Sequence, residues 1–223
     1  MIRGSSEGRG DATAFRAKLV QEAVRLRLPL SDGQAEAMTA HYRILRTWGR
    51  RMNLTGLRDR DQIMRRHFLE PICAADLFDE PGRLLDVGSG NGFPAVPIKV
   101  MRPELDLILV EASERKSGFL WAVLRELGLK GARVETRRVQ GPASLSDLTP
   151  CRYLTARAIR LSTVLGGEGR VDRLLQAGGR AVLFLSAEDA RAIGTQPPEG
   201  LRLREIRRLV TDPGAALAVF EPA

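Results

Sequence analysis

The residues best suited to chemistry lie in Leu84–Pro94, LLDVGSGNGFP, where Gly88, Gly90 and Gly92 alternate after a short apolar run. That run, closing on Asp86 and Val87, reads as a buried parallel strand entering a turn without Cβ atoms, with a helix beyond. Main-chain N–H groups at such a turn can face a ligand directly, and a molecule carrying ribose and adenine suits it. A second apolar run, LDLILVEA, ends in Glu111, 23 residues after Gly88. An acid there can accept both hydroxyls of a ribose.

Spacing narrows the ligand. Dinucleotide folds use GxGxxG, whose third glycine lets helix and strand pack closely. Here the pattern is GxGxG, with Phe93 and Pro94 where that third glycine would fall. Pro94 suits a first helical turn, since its missing N–H would go unbonded there anyway. With no diphosphate to cradle, the turn can take an amino-acid tail, which favours S-adenosylmethionine over NAD. Asp86 is a candidate either for capping the turn or for holding the cofactor's ammonium.

Elements that would position these residues follow from periodicity. Helical spacing runs over 14–28 and again from Ser31, whose distance from Gln34 fits a capping box, through Tyr42, Leu45 and Trp48 to about Arg51. Those three residues are expected in the core. A third helix capped by Asp59 or Asp61 is expected to break at Pro71 and resume to Phe78. Beyond Pro81-Gly82 the texture changes to strands at 83–87, 106–111, 132–137, 152–158 and 180–185, with weaker ones near 201–210 and 216–221. Helices fit at 93–101, 113–127 (closed by Gly128) and 161–176. Alternation of this kind predicts an α/β fold, and the last two strands suit an antiparallel hairpin at the sheet edge. Residues 1–12 read as a disordered tail, 13–80 as a helical region, and 81–223 as the cofactor-binding domain packed with it.

The chain has 223 residues and a net charge of +8, and 31 of its 35 cations are Arg. Residues 1–70 hold 14 basic against 8 acidic side chains, so most of the surplus precedes the glycine turn. Basic surface attracts phosphate backbones, and it also serves plain solvation; charge alone leaves both open. No apolar run reaches the ~20 residues of a membrane helix, and the polar start carries no secretory signal. Cys73 and Cys151 lack metal spacing and read as reduced thiols of a cytoplasmic protein.

Four blocks, in order, resemble the RsmG (GidB) family of methyltransferases, which act on guanine N7 in bacterial 16S ribosomal RNA. They are Asn53–Asp59 (NLTGLRD), Arg66–Leu69 (RHFL), Asp86–Pro97 (DVGSGNGFPAVP), and Arg115-Lys116 with Phe119-Leu120 and Arg125–Leu129. The resemblance covers roughly residues 30–185. It implies a Rossmann-like class I methyltransferase fold, a mostly parallel seven-stranded sheet with helices on both faces and an N-terminal helical extension. Gly88 and Phe93, with Gly90 of the same turn, would touch S-adenosylmethionine, Glu111 would take its ribose, and Val139 and Gln140 would flank the adenine. Arg157 matches an arginine at the cofactor and substrate mouth and is expected among the cofactor-binding residues. Asn53, Arg66 and His67 would shape the RNA-facing side, His67 being first a packing residue, and Arg115 and Lys116 would grip phosphates.

Three positions depart from the family pattern. Glu70-Pro71 replaces the usual Asp-Ser, Gln140 a usual Glu, and Phe184–Ser186 stands where Lys-Gly is common. The resemblance implies 16S rRNA or the small subunit as partner to a monomer, with no metal and no membrane. Guanine N7 has a lone pair and no proton to lose, so no general base is nominated. Alternatives are methylation of another RNA or a small molecule, an inactive cofactor-binding protein, and an NAD-dependent oxidoreductase.

Overall fold

The structure, a computed structural model, describes residues 5–52, 56–57, 59–148, 150–158, 164 and 170–223. Helix α1 (Ser5–Arg25) starts inside the stretch expected to be a tail. Packing explains the difference: Ala12 is buried, and Tyr42 Oη donates to the Asp11 carboxylate at 2.8 Å. Helix α2 (Asp32–Met52) opens with the expected capping box, Ser31 N donating to Gln34 Oε1 at 2.9 Å and Gln34 N to Ser31 Oγ at 3.3 Å.

The third helical segment differs from its expectation. After α3 (Arg60–Ile63), capped by Asp59, the chain widens into a π-helical turn over Met64–Leu69 and continues as α4 (Glu70–Cys73). Pro71 directly follows the wide turn, and the helix passes through it. It ends at Cys73, and only a short 3-10 turn, Ala75–Leu77, follows.

Strands β1 (Arg83–Val87), β2 (Asp106–Glu111), β3 (Ala132–Thr136), β4 (Cys151–Arg157), β5 (Leu175–Ser186), β6 (Leu201–Arg208) and β7 (Ala215–Pro222) form one sheet in the order β3-β2-β1-β4-β5-β7-β6. β1 to β5 are parallel, and β7 runs antiparallel to both β5 and β6, the hairpin expected at the edge. Both faces are covered. Leu84, Leu107 and Leu109 join one core with Phe15, Tyr42, Leu45, Phe68 and Phe119, whereas Leu85, Val87, Ile108 and Val110 join a second with Val139 and Leu183. Helices α5 (Ala95–Met101) and α6 (Glu114–Glu126) pack into the first core, so the N-terminal helices share it.

Smaller corrections concern boundaries. Pro94 is the N-cap of α5, one position before its first turn. Gly128 closes α6 at φ +60°, as expected. Most of the helix expected at 161–176 lies outside the described residues; within them, Val171–Leu174 is a 3-10 turn and β5 begins already at Leu175. Helix α7 (Ala187–Thr195) was not expected, although Ser186 caps it by accepting from Asp189 N at 3.0 Å.

Candidate active site

The site forms where β1, β2 and β4 end. Gly88, Gly90 and Gly92 all adopt positive φ, between +55° and +85°, a region costly for other residues. A cavity of about 400 Å³ opens over this turn, lined by Gly88, Ser89, Gly90, Asn91 and Phe93 together with Gly56, Leu57, Arg66, His67, Lys116, Arg157 and Ala158. Seven of the residues singled out in the sequence therefore meet in one place: Gly88, Gly90, Phe93, Arg66, His67, Lys116 and Arg157. Others do not. Arg115 is exposed outside the lining, and Asn53 lies outside the described residues. Val139 is buried in the second core and Gln140 is exposed, its N–H donating to Ser144 Oγ at 3.2 Å; neither lines the cavity.

The turn itself corrects one expectation. Its N–H groups do not stand open to a ligand: Gly88 N and Ser89 N both donate to Val110 O, at 2.9 and 3.0 Å, and Gly92 N donates to Ser89 O at 2.7 Å. Gly90 N donates to Glu111 Oε2 at 2.8 Å, and the other oxygen of that carboxylate accepts from Ser113 N at 2.8 Å. Glu111 is thus first a clasp between the turn and the start of α6. A carboxylate has about four acceptor directions, so it can still take hydroxyls. A diphosphate, which needs open N–H groups, has no nest among these four.

Beneath the turn lies Asp86, buried and opposite Thr155 of β4 in register. Thr155 Oγ1 donates to Asp86 Oδ1 at 2.7 Å, whereas Oδ2 has no hydrogen-bond partner among the described residues. Burial pushes its carboxyl up to about 6, against the pull of the Thr155 and Ser89 hydroxyls. This second oxygen is itself buried and Asp86 does not line the cavity, so the carboxyl lies beneath the turn and is not presented to a ligand there.

Two features held by long-range packing escaped the sequence. First, His41 of α2 is fully buried, with Nε2 3.1 Å from Asn91 O of the turn. Its ring stacks on Phe93 at 4.4 Å and 10°, and His67 stacks on Phe93 at 4.5 Å and 7°. Burial lowers His41 to about 4 and His67 to about 3, the latter helped by nearby Arg157. Second, Arg157 donates through Nη2 to Glu70 Oε2 at 2.7 Å and through Nη1 to Arg66 O. Burial pushes Glu70 up to about 6 even with that guanidinium beside it. The substituted residue at 70 is therefore the counter-ion of the site's arginine.

The imidazoles set a pH response. Both protonate more readily unfolded, near 6.5, than folded, so the stability they confer is complete above about pH 6.5 and is lost as pH falls through the folded values. For His41 the loss amounts to at most about 3 kcal/mol. The fall in thermal midpoint between pH 6.5 and 4 is expected to be smaller in His41→Phe, which keeps the stack without the titration; equal falls would exclude the imidazole as its source.

Among the described residues no group of His, Cys, Asp and Glu could hold a metal ion, and no helix is long and apolar enough to cross a membrane.

A glycine turn after β1, an acid closing β2 and a 3-2-1-4-5-7-6 sheet define the Rossmann-like methyltransferase fold. The fold is shared with the ribosomal protein L11 methylase of Lactobacillus delbrueckii subsp. bulgaricus at TM-score 0.55 and 12% identity, over 74% of this chain and 80% of that one. Residues 34–193 match the GidB family, rRNA small subunit methyltransferase G, and the chain belongs to that family. It is 39% identical over 124 residues to the ribosomal RNA small subunit methyltransferase G of Roseiflexus castenholzii, covering 55% of this chain and 53% of that protein. The match thus spans about half the length of that relative. With the Chloroflexus aggregans protein of the same name, identity is 36% over 164 residues, 73% of this chain and 68% of that one.

Proposed function

We propose that this protein is an S-adenosylmethionine-dependent methyltransferase acting on N7 of a guanine in the 16S rRNA of the bacterial small subunit. The observation that carries the cofactor is the cavity at the end of β1: Gly88 and Gly90 present bare backbone to it, and the N–H groups of Gly88, Ser89, Gly90 and Gly92 are spent within the protein, which leaves no diphosphate nest. Glu111 suits ribose hydroxyls, and Gly88 and Gly90 admit the ligand against the backbone. Val139 and Gln140 remain candidates for the adenine edge by family resemblance.

When bound, the cofactor supplies a methyl group activated on a sulfonium. What the protein adds is alignment and exclusion of water, a positioning task that needs no general base for a ring nitrogen with a free lone pair. Arg66 and Lys116 of the lining, with Arg115 and Asn53 by family resemblance, are suited to the phosphates around a nucleotide turned out of its stack, and Arg157 stands by the same resemblance at the cofactor. The protein is proposed to act in the cytoplasm as a monomer.

Calorimetric titration with S-adenosylmethionine and with NADH is expected to give binding of the first alone. Labelled methyl groups are expected in undermethylated small subunits, at guanine N7. Binding of NADH without S-adenosylmethionine would overturn the cofactor, and label at another atom would overturn the target.

A further inference from the structure

The column of rings built on Phe93 has a direction. It starts at His41, fully buried beside the turn, passes through Phe93 at 4% exposure, and reaches His67, which is partly exposed and lines the cavity. Both stacking steps are close and near-parallel, at 4.4 and 4.5 Å between centroids. Phe68 sets its ring edge-on to Phe93 at 4.9 Å and to His41 at 5.7 Å, which fixes the column sideways. The ring at the cavity end is therefore oriented before any ligand arrives.

We infer that His67 is the stacking platform for the purine of the substrate, which lies on the imidazole as the next ring of the column. This rests on the proposed function for its chemistry. As the N7 lone pair forms the bond to the methyl carbon, the carbon–sulfur bond breaks and its electron pair stays on sulfur. The positive charge passes to the purine. A neutral π face attracts such a cation, whereas an imidazolium would repel it. Burial with Arg157 and Arg66 nearby keeps His67 neutral, its pKa lowered to about 3. Lys116, in the same lining, is suited to the nucleotide's phosphate. His67 then touches the substrate base, which makes it a catalytic residue in addition to a packing one.

The test uses the full chain saturated with S-adenosylhomocysteine and titrated with guanosine 5′-monophosphate and its 7-methyl derivative. His67→Leu fills similar space without a π face, and His67→Phe restores the face. Stacking of one base predicts about tenfold weaker nucleotide binding in His67→Leu, with a larger loss for the methylated, cationic purine. His67→Phe is expected to stay within about threefold of the wild type for both. The affinity of each variant for S-adenosylhomocysteine is measured first, so that nucleotide binding is compared between equally loaded proteins. Failure of the wild type to bind either nucleotide would overturn the platform, as would wild-type affinity in His67→Leu. Equal weakening in His67→Phe would overturn it too, assigning the effect to the ring nitrogens. A His67-dependent nucleotide site in a protein that leaves small subunits unmethylated would keep this inference and remove the proposed function.

Discussion

Gly88→Val is expected to weaken S-adenosylmethionine binding by at least about 100-fold while the fold survives. Gly88 sits at φ +73° and lines the cavity, so a branched side chain both strains the backbone and fills space meant for the ligand. Left-handed backbone costs a branched residue about 1–2 kcal/mol, roughly 2–8 °C of thermal midpoint in a chain this size. Gly92→Ala should behave differently. Its new Cβ would lie 2.9 Å from Val96 Cγ2, inside the packing behind the turn, so stability should suffer before affinity does. Titration calorimetry and thermal melting of the two variants separate these effects. Wild-type affinity in Gly88→Val would move the cofactor away from this loop.

Arg157→Met is the second large effect. It leaves the Glu70 carboxyl, 1% exposed, without its counter-ion, and breaking a buried pair from one side costs about 3–5 kcal/mol. Burial already raises Glu70 to about 6, and loss of the guanidinium would raise it further. A raised folded value stabilises below the ordinary carboxylate range and is lost as pH rises through it. The variant's deficit should therefore be smaller at pH 5 than at pH 8 in urea unfolding. Glu70→Leu in the same chain should recover more than half of it, because two apolar groups can replace a buried pair. Simple additivity of the two substitutions would show that the pair is not coupled. If the double variant recovers stability but not RNA affinity, Arg157 acts on the substrate as well as on Glu70.

Much of this architecture was legible because the signals were local. The apolar runs before Asp86 and Glu111 marked β1 and β2, the Ser31–Gln34 box marked α2, and Gly128 marked the end of α6. Ser186 and Asp189 carried an equally local cap for α7, which periodicity over a nine-residue helix does not amplify. The site was half legible. Gly88, Phe93 and Arg157 could be named from their blocks, but not what holds them. His41 meets Asn91 across 50 residues, and Arg157 meets Glu70 across 87. No spacing rule reaches that far. The open N–H groups expected at the turn were the clearest error, because Val110 O and the Glu111 side chain satisfy them from the neighbouring strand.

The π-helical turn at Met64–Leu69 makes chain length a hidden requirement of the site. It buries Met64, Phe68 and Leu69 while turning Arg66 and His67 to the cavity and leaving Glu70 beside Arg157. A π turn holds one residue more than an α-helical turn. Deleting a single residue there would let the segment wind as an ordinary α-helix with its flanks still in phase, whereas a deletion from a flanking α-helical turn would rotate one flank against the other by about 100°. A deletion within the wide turn costs it one residue, so either the buried trio or the cavity pair loses a member. Substitutions within this segment change one side chain each, whereas a deletion changes which side chains the core and the cavity share.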